Sequence, residues 1–395
     1  MHTSPLAQPG SGDGGGMNVY VRELSTALAR AGVTCEVFTR AFRPDLPERV
    51  RVEPGFEVHY VPAGPLAEVP KEDLPDLVPA FTRGVLDRLD RAETDALHAN
   101  YWLSGQAGHT IKHELDLPLV STFHTLARVK AEASEDEPHR RALAEAEIIG
   151  CSDAILASCS VEKAQIVQLY GADPDRIEIV APGVDRAFFA PGDRGQARRA
   201  LGLPAAQPIV LFVGRIQPLK ALDVAVEAVS RLDVPALLVV VGGPSGPAGA
   251  SEVDRIAKLV AERGLADRVR FVPPQRHELL TTYYRAADVC VVPSRSESFG
   301  LVALEAAACG TPVVASAVGG LRTLVAHGQT GFLVEGRDPG AFAAYLGEVL
   351  TNPGLARQMS ARAALRAGRY TWSIAGARLR RLYADLTARQ LVECR

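Results

Sequence analysis

Residues 289–320 read VCVVPSRSESFGLVALEAAACGTPVVASAVGG, and along them the pattern changes from strand to loop, helix and strand. Residues 289–293 form a continuous apolar run, which is typical of a strand buried on both faces. Residues 301–308 predict a helix that ends at the following glycine and proline, and residues 313–316 predict the next strand. In a doubly wound sheet, the loop after such a strand lies where ligands bind.

Two glutamates accompany this loop. Glu297 lies in the loop itself, and Glu305 follows eight residues later on the first turns of the predicted helix. The helix N-terminus next to Gly300 offers unpaired N–H groups to a diphosphate, and a neighbouring carboxylate can hold ribose hydroxyls. The alternative is that Glu305 is an ordinary solvated helix residue. Its small alanine and valine neighbours argue against this alternative, because they indicate a closely packed helix.

Composition limits the class of protein. The chain has 395 residues, 47% of them apolar and 23% charged, with a net charge of −3. This length suits two domains, and the charge favours neither nucleic acid nor an anionic membrane as a partner. No apolar run reaches the ~18–20 residues of a transmembrane helix, and the first residues do not resemble a secretory signal. We therefore expect a cytoplasmic protein. Its six cysteines include no CxxC pair, which predicts reduced thiols and no zinc site.

Strands and helices alternate on both sides of residues 182–193, a segment rich in turn-forming residues. This alternation predicts an α/β protein with two domains, each built on a parallel sheet, that face a cleft. The predicted boundaries are an N-terminal domain at 1–190, a C-terminal domain at 191–370 and a final helix at 371–395 that crosses back onto the first domain. Strands are predicted at 34–38, 58–61, 96–98, 119–122, 154–157, 177–180, 209–213, 236–241, 269–272, 289–292, 313–316 and 332–334. Helices are predicted at 19–31, near 74–89, near 138–149 and from 372 to about 390.

A glycine-rich loop, GSGDGGG, occupies residues 10–16 ahead of the first predicted helix. In an α/β fold such a loop normally follows a strand, so we expect the first strand to be missing and the loop to lack its support. The loop contains a G-x-G-x-x-G pattern at Gly10, Gly12 and Gly15, which alone is weak evidence for dinucleotide binding. Consecutive glycines nevertheless let a backbone approach a ligand closely.

A second loop follows the predicted strand at 209–213 and carries two cations. Arg215 and Lys220 stand five residues apart in the sequence GRIQPLK. From one loop at a strand end both can reach a diphosphate, Arg215 as a fork and Lys220 as a point charge. The alternative is a solvated surface pair, which the position at the strand end disfavours.

The N-terminal half has weaker signals. His124 and Thr125 follow the predicted strand at 119–122, where the adjacent threonines favour a wet cleft over a core histidine. Arg141 and Glu145 have the i,i+4 spacing of a pair that stabilises its own helix.

Taken together, these features resemble the retaining nucleotide-sugar glycosyltransferases of the GT-B type, family four, over essentially the whole chain. The resemblance implies two Rossmann-like domains facing a cleft. Longer strings are similar to the members that transfer N-acetylglucosamine from UDP-GlcNAc to 1D-myo-inositol 3-phosphate, the first step of mycothiol synthesis in actinobacteria. These strings are HTSPLAQPG at 2–10, GGMNVY at 15–20, YWLSGQ at 101–106, GRIQPLK at 214–220, GGPSG at 242–246 and ESFGLV at 297–302.

The resemblance also implies roles for individual residues. Arg215 and Lys220 would neutralise the departing diphosphate. Glu305 would hold the ribose, while Glu297 and His124 would contact the donor sugar. Further implied donor-binding residues are Gln8, Pro9 and Gly16 along UDP and Gln275 near the uracil. The implied acceptor-binding residues are His2, Asp13, Gly14, Gly15, Gly16, Met17, Asn18, Lys71, Tyr101, Thr125 and Arg141, of which the last four would hold the acceptor phosphate. A loosely bound structural Mg²⁺ is implied on backbone carbonyls near Tyr284, Arg285, Ala287 and Thr311.

The chemistry implied is retaining transfer that needs no cofactor beyond the UDP-sugar co-substrate. Stabilisation of the leaving group in a closed, dry cleft supplies the catalysis, and a UDP oxygen takes the proton of the attacking hydroxyl. We expect no nucleic-acid partner, and a homodimer is considered.

Three alternatives stay open. One is a related transferase that uses another UDP-hexose or another phosphorylated acceptor, such as a hexose phosphate. Another is a sugar-nucleotide binder without catalytic activity. The third is an NAD-dependent dehydrogenase, which the glycine pattern suggests. That enzyme class would leave the paired cations and paired glutamates of the C-terminal half without a role.

Overall fold

The computed structural model describes residues 1–10, 14–132, 139–246 and 249–393. The chain divides by its contacts into two compact units. Unit 1 comprises Met1–Leu6, Met17–Ala181 and Trp372–Arg395, and unit 2 comprises Ala7–Gly16 and Pro182–Thr371. The glycine-rich loop therefore groups with the C-terminal half, whereas the last helix groups with the N-terminal half.

Strands of the described residues, in chain order, are β1 (Cys35–Arg40), β2 (Arg49–Glu53), β3 (Phe56–Val61), β4 (Leu97–Asn100), β5 (Leu119–Thr122), β6 (Ala154–Ala157), β7 (Ile177–Ile179), β8 (Ile209–Val213), β9 (Leu237–Val241), β10 (Val269–Val272), β11 (Val289–Val292), β12 (Val313–Ser316) and β13 (Gly331–Val334). Helices are α1 (Gly16–Arg30), α2 (Val78–Leu86), α3 (Trp102–Leu115), α4 (Ala127–Glu132), α5 (His139–Cys151), α6 (Ser160–Tyr170), α7 (Arg194–Ala200), α8 (Leu222–Ser230), α9 (Gly249–Glu262), α10 (Leu280–Ala286), α11 (Leu301–Ala308), α12 (Leu321–Leu324), α13 (Pro339–Thr351), α14 (Pro353–Ala367) and α15 (Trp372–Thr387).

Unit 1 contains two sheets within the described residues, with the strand orders β1-β3-β2 and β4-β5-β6-β7. β1 and β3 are parallel, and the second sheet is parallel throughout. β2 is antiparallel to β3 and is not predicted from the sequence. Its residues alternate between Arg and Val and stay largely exposed, as is typical of an edge strand. Gly55, with a φ of +81°, makes the tight turn that reverses the chain.

The segment before α1 lies as coil against the first sheet of unit 1. Thr39 donates from its hydroxyl to the Thr3 carbonyl over 3.3 Å, and Asn18 Nδ2 donates to Thr3 Oγ1 over 2.7 Å. The hydroxyl oxygens of Ser4 and Tyr60 are 3.0 Å apart. In the described residues no strand precedes α1, and side-chain hydrogen bonds hold the segment in place.

The last helix, α15, packs against the rest of unit 1. The Trp372 ring stands edge-on to Tyr20, with ring centroids 5.7 Å apart. The Tyr383 hydroxyl lies 2.7 Å from His98 Nδ1, at the start of the second sheet. One aromatic contact and one hydrogen bond therefore attach the C-terminal helix to both α1 and β4.

Unit 2 is built on a parallel sheet whose described strands follow the order β10-β9-β8-β11-β12-β13. The predicted bounds of β11, α11 and β12 are confirmed. Every residue of β11 is buried, which explains its continuous apolar pattern. Because the strands are parallel, their carboxyl ends meet at one edge of the sheet, and the predicted ligand-binding loops follow those ends.

Some predicted helix bounds are wrong. The helix predicted at 74–89 is a 3₁₀ turn, Leu74–Leu77, followed by the shorter helix α2. Pro79 lacks the N–H group that one continuous helix would need there. The helix predicted to about residue 390 ends at Thr387. The predicted start of α5 at Pro138 lies outside the described residues.

The cysteines depart in one respect from the expectation of reduced thiols. Cys35, Cys290 and Cys309 are free thiols, but Cys151 is disulfide-bonded. Across the described part of the chain, no helix combines the length and the apolar character that crossing a bilayer requires.

Candidate active site

The carboxyl edge of the unit 2 sheet is a place where loops pack backbone against backbone. A Cβ on Gly242 would lie 1.9 Å from the Gly214 carbonyl oxygen, and a Cβ on Gly319 would lie 1.8 Å from that of Glu297. Any side chain at these two positions would therefore displace a neighbouring loop. The glycines bring the loops after β8, β9, β11 and β12 together, and these loops carry Arg215 and Glu297.

Lys220 and Glu297 form an ion pair between two of these loops. Lys220 Nζ lies 2.5 Å from Glu297 Oε2, and the side chains are 21% and 19% exposed. The Ser294 hydroxyl lies 3.4 Å from the same carboxylate oxygen. Sequence analysis assigns Lys220 to a diphosphate and Glu297 to a sugar, and the structure makes the two side chains direct neighbours. An ammonium has three donors and a carboxylate about four acceptor positions, so the pair can also bind a ligand.

The glycine-rich loop lies beside Arg215. A Cβ on Gly15 would stand 3.4 Å from Arg215 Nε, and one on Gly16 would stand 3.4 Å from Leu301 Cδ1. Arg215 also donates from Nη1 to the Ser245 hydroxyl over 3.2 Å. The loop, which the resemblance assigns to the acceptor and through Gly16 also to the donor, and the donor residue Arg215 are therefore neighbours within unit 2.

The start of the same loop is fastened near the end of β10. Gln8 Nε2 donates to the Pro274 carbonyl over 2.9 Å, and Gln275 is the next residue along the chain. Pro9, the residue after Gln8, is half-buried. Gln8 and Gln275, which the resemblance assigns to the nucleotide, thus come from two segments in contact.

Glu305 is buried on α11, and its carboxylate is held at both oxygens. Tyr284 donates from its hydroxyl to Glu305 Oε2 over 2.8 Å, and His277 Nε2 lies 2.7 Å from Oε1. Burial, together with the nearby Glu305 charge, raises the pKa of Tyr284 well above its ordinary value, so the phenol stays protonated and donates. Glu305 is 5% exposed, and the alternative of a solvated helix residue is wrong.

Sequence reasoning missed His277 and the Tyr284 hydroxyl. Both residues follow β10, whose carboxyl end shares a sheet edge with the loops that carry the other charged residues. Their position after a strand is the signal that could have found them, but many surface residues share that position. Their hydrogen bonds to Glu305 join residues 28 and 21 positions apart, beyond the reach of a local pattern.

The implied Mg²⁺ does not fit the Tyr284 carbonyl. That oxygen accepts a hydrogen bond from Thr311 Oγ1 over 2.7 Å and one from the Ala287 N–H over 3.2 Å, which occupy its two lone pairs. The Arg285 guanidinium donates from Nε to the Ala190 carbonyl over 2.8 Å. The Mg²⁺ site stays a prediction, and we derive no step through a metal.

One other cluster carries side chains of the kind that bind metals. The ligand atoms of His109, His113 and Cys151 all lie within 4.8 Å of one another. Because Cys151 is disulfide-bonded, its sulfur is not a thiolate ligand, and we assign no metal to this cluster.

In unit 1, Tyr101 gathers residues that the resemblance assigns to the acceptor phosphate. Its φ of +77°, just before α3, is uncommon for a residue with a side chain. Lys71 Nζ lies 5.2 Å from its ring centre and Arg141 Cζ lies 5.1 Å from it, within the range of cation–π attraction. The His2 ring lies 4.5 Å away. Tyr101 is 5% exposed, and among the described residues its hydroxyl has no hydrogen-bond partner.

Arg141 links this cluster to Thr125 and also forms the predicted helix pair. Its Nη2 donates to the Thr125 carbonyl over 2.8 Å and to the Thr125 hydroxyl over 3.0 Å. Its Nε donates to Glu145 Oε1 over 2.8 Å. Arg141 and Glu145 are only 2% and 0% exposed, and Glu145 also accepts from the Ala127 N–H and the Tyr170 hydroxyl. Arg141 therefore forms the predicted helix pair through Nε, and through Nη2 it contacts Thr125, another residue that the resemblance assigns to the acceptor phosphate.

His124 follows β5 with a φ of +61°. Its Nε2 lies 2.8 Å from Asn100 Oδ1, and its ring stands edge-on to Tyr20 at 4.8 Å between centroids. Burial, with a smaller contribution from His98, lowers the pKa of His124 to about 3. Burial likewise lowers the pKa of His98 to about 4. His124 is therefore neutral at pH 7 and can exchange hydrogen bonds with a sugar, but it cannot act there as an imidazolium acid.

The other residues assigned to the acceptor lie where the glycine-rich loop enters α1. Asn18 is buried, and its amide is committed to residues of the coil before the loop. Met17 packs against the hydrophobic core of unit 1, which includes Tyr101. Gly14 is buried, and Asp13 lies outside the described residues.

Comparison with known proteins supplies the family. Residues 14–188 match the model of Glycosyltransferase Family 4, and residues 193–366 match that of Glycosyl transferases group 1. The chain is 48% identical to the D-inositol 3-phosphate glycosyltransferase of Acidothermus cellulolyticus, over 94% of this chain and 86% of that protein. It is 49% identical to that of Frankia alni, over 94% and 95%. The solved sucrose-phosphate synthase of Thermosynechococcus elongatus has a TM-score of 0.93 and 35% identity and covers 98% of both chains.

These matches confirm the predicted GT-B class of fold and the predicted class of enzyme. They contradict the dehydrogenase alternative, because both halves of the chain match glycosyltransferase models. The chain is a glycosyltransferase, and it belongs to the family of the D-inositol 3-phosphate glycosyltransferases within the group 1 glycosyltransferases.

Proposed function

We propose that the enzyme transfers N-acetylglucosamine from UDP-GlcNAc to 1D-myo-inositol 3-phosphate with retention of the anomeric configuration. The observation that carries this proposal is the cluster around Tyr101, where two cations contact a ring whose buried hydroxyl has no partner among the described residues. The names of relatives at 48% and 49% identity support the same acceptor. The reaction would open mycothiol synthesis in the cytoplasm of an actinobacterium.

On the donor side, Arg215 and Lys220 stabilise the diphosphate charge that develops as UDP leaves. Glu305 holds the ribose, and Glu297 holds hydroxyls of the donor sugar while its second task is to orient Lys220. The support is that these side chains follow strands whose carboxyl ends share one sheet edge, with Lys220 and Glu297 in contact at 2.5 Å. Charged donors prearranged at a site of developing charge are typically the largest single contribution to catalysis.

On the acceptor side, a phosphate dianion accounts for residues that have no other shared purpose. Lys71 and Arg141 supply charge-assisted hydrogen bonds, and Tyr101 and Thr125 supply hydroxyls. A buried hydroxyl without a partner costs about 1–3 kcal/mol, and a phosphate oxygen would remove that cost at Tyr101. Free inositol offers no such oxygen, so we expect it to be a poor acceptor.

The transfer step needs no nucleophile from the protein. The acceptor hydroxyl attacks the anomeric carbon on the face from which UDP departs, so the new glycosidic bond forms as the bond to UDP breaks. The hydroxyl proton passes to a phosphate oxygen of the leaving UDP. His124 is neutral near pH 7 because burial lowers its pKa to about 3, and its role is to hold the donor sugar. The homodimer and the Mg²⁺ ion stay predictions.

A hexose phosphate is the second candidate acceptor. The support is the 35% identity and TM-score of 0.93 to a sucrose-phosphate synthase. Cations around Tyr101 would recognise the phosphate of a hexose as readily as that of an inositol, because phosphate recognition does not depend on the ring that carries it. The donor would then be another UDP-hexose.

A donor–acceptor matrix tests these proposals. UDP-GlcNAc and UDP-glucose are each incubated with inositol 3-phosphate, free inositol and hexose 6-phosphates, and products are identified by mass spectrometry. Product from UDP-GlcNAc and inositol 3-phosphate alone is the expected outcome, and the anomeric coupling constant in its proton NMR spectrum reports retention. Turnover confined to hexose phosphates would replace the acceptor proposal, and UDP binding without any product would indicate a sugar-nucleotide binder without activity.

A further inference from the structure

The hydrogen bonds to Glu305 leave a defined set of acceptor positions on its carboxylate. Each carboxylate oxygen has about two lone-pair positions. Tyr284 uses one on Oε2, and His277 lies within hydrogen-bond distance of Oε1. One position therefore remains on each oxygen. Two vicinal hydroxyls, such as those at C2′ and C3′ of a ribose, would match two acceptor positions on neighbouring oxygens.

Both partners of Glu305 come from one rigid segment. His277 opens the 3₁₀ turn His277–Leu279, which leads directly into α10, where Tyr284 lies. The Phe189 ring packs against both side chains, with its centroid 4.9 Å from that of His277 and 6.1 Å from that of Tyr284. Tyr284 is 0% exposed and Phe189 is 2% exposed, so neither ring can turn without disturbing packed neighbours.

The backbone next to Phe189 is itself tied to α10. Thr281 donates from its hydroxyl to the Phe188 carbonyl over 2.8 Å, and Arg285 Nε donates to the Ala190 carbonyl over 2.8 Å. Two polar side chains therefore hold the backbone on either side of Phe189, and this fixes the position of its ring. Such support is typical of side chains that hold a ligand-binding group in a single orientation.

We propose that Tyr284 and His277 are positioning residues that set the preference of the donor site for ribose over 2′-deoxyribose, by holding the Glu305 carboxylate in the plane that accepts two vicinal hydroxyls. The inference rests on the proposed role of Glu305 in holding the ribose. Without the Tyr284 hydroxyl, only His277 holds the carboxylate, and Oε2 is no longer fixed in the plane that meets the diol. Affinity for a ribose then falls, whereas affinity for a 2′-deoxyribose, which makes one bond at most, changes little.

The test compares the affinities of UDP and 2′-deoxy-UDP by calorimetry. A hydrogen bond to an ionised group contributes about ten- to hundredfold in affinity, and wild type should prefer UDP by about that ratio. Tyr284→Phe removes one oxygen atom and keeps the packed ring, and it should reduce the preference severalfold through weaker UDP binding alone. Tyr283→Phe is the matched control, since the same change one residue away leaves both hydrogen bonds to Glu305 in place.

His277 gives an independent measurement. His277→Gln keeps an N–H donor at about the reach of Nε2 and should retain more of the ribose preference than His277→Ala. A merely structural role for the two residues would lower the melting temperature, or weaken both nucleotides equally, without changing the ratio of their affinities. An unchanged ratio in both Tyr284→Phe and His277→Ala would therefore overturn this inference.

The outcomes separate this inference from the proposed function. A wild-type protein that binds no UDP would overturn the donor proposal and the inference with it. A wild-type protein that binds UDP but shows no ribose preference would overturn the role of Glu305 and this inference, while the transfer reaction would still stand on the matrix of substrates.

Discussion

In unit 2 the charged residues proposed to bind the donor follow strands of one parallel sheet. In unit 1 two of the residues proposed to bind the acceptor phosphate, Tyr101 and Thr125, follow strands, whereas Lys71 and Arg141 come from a loop and a separate helix. Arg215 and Glu297 are placed by the strand ends before them and by glycines that let the loops touch. Lys71 and Arg141 share a contact with the Tyr101 ring, at 5.2 and 5.1 Å from its centre. The first region is therefore built by local segments on a common edge, and the second by one aromatic ring that collects distant segments.

The two regions also balance charge differently. In unit 2, Lys220 is paired with Glu297, and Glu305 is held by a phenol and an imidazole. In unit 1, two cations contact the ring of Tyr101, and one of them, Arg141, is also paired with the buried Glu145. Under the proposed function, the donor region is prearranged for a ligand that brings both hydroxyls and a diphosphate, and the cations of the acceptor cluster bind a phosphate. Four measurements test the comparison.

The largest effect is expected at Arg215. Arg215→Ala and Lys220→Ala should each lower turnover with UDP-GlcNAc by ~10²–10³-fold, because removing one electrostatic stabiliser of a transition state typically costs that much. Steady-state kinetics with a fold check by circular dichroism measures this. Arg276→Ala is the control, since Arg276 is an exposed arginine near the same sheet edge. Near wild-type turnover in both site variants would remove the diphosphate role from this loop.

The next effect concerns the acceptor. Arg141→Ala should raise the Michaelis constant for inositol 3-phosphate by about tenfold or more, the contribution of a hydrogen bond to a charged group, and leave the donor constant nearly unchanged. Loss of Arg141 also leaves the buried Glu145 carboxylate without its ion-pair partner, which costs roughly 3–5 kcal/mol of stability. The double variant with Glu145→Gln relieves that cost, and Arg140→Ala on the same helix is the control. An unchanged acceptor constant in the folded double variant would leave Arg141 with its helix pair alone.

Acid should destabilise unit 1 through its buried histidines. The pKa values of His98 and His124 in the folded protein, about 4 and 3, lie below the ordinary 6.5. The unfolded chain therefore takes up protons first, so their contribution to stability is complete above about pH 6.5 and is lost progressively as the pH falls to between 4 and 3. The loss is at most about 1.4 kcal/mol per pH unit for each histidine.

Urea unfolding at pH 7, 6, 5 and 4 measures this slope, and amide hydrogen exchange locates it in one unit or the other. His98→Gln should flatten the curve, because glutamine does not titrate. A wild-type slope identical to that of His98→Gln would show that the burial of His98 does not control the acid response.

The smallest effect is expected at Tyr101. Tyr101→Phe should raise the Michaelis constant for inositol 3-phosphate by about threefold to tenfold, with stability unchanged or slightly higher, because the lost hydroxyl has no partner among the described residues. Tyr60→Phe is the contrasting control. It removes a hydroxyl that is hydrogen-bonded to Ser4, so it should cost stability of about 1 kcal/mol and leave the kinetics unchanged. The reverse pattern would place the phosphate elsewhere.

Much of unit 2 is predictable from sequence because its signals are local. β11 reads as a strand since all its residues are buried between two layers, and α11 reads as a helix since a glycine and a proline end it. Arg215 and Glu297 are found by position alone, directly after predicted strands. Where prediction fails, as at β2, the strand is only five residues long and lies at a sheet edge, and the valines of its Arg-Val alternation are only partly buried.

The hydrogen bonds of Glu305 mark where local signals end. The sequence places Glu305 on a helix of small residues and thereby indicates close packing, and the structure agrees with 5% exposure. It does not indicate that the carboxylate meets Tyr284 and His277, because this contact depends on how α10 packs against α11. For the same reason, the sequence does not indicate that the Tyr284 carbonyl, which the resemblance assigns to Mg²⁺, accepts two hydrogen bonds.

The chain order of strands, helices and charged loops, and with it the class of fold, follows from hydrophobic periods and turn residues that act over a few positions. Family resemblance then named Lys71, Tyr101, Thr125 and Arg141 together, but only Tyr101 and Thr125 share a local signal, their position after a strand. Only the tertiary structure brings Lys71 and Arg141 against one ring and leaves the Tyr101 hydroxyl without a partner in the described residues. Contacts between distant segments form only when separate elements pack, and packing is decided by the whole core rather than by the few residues next to each position.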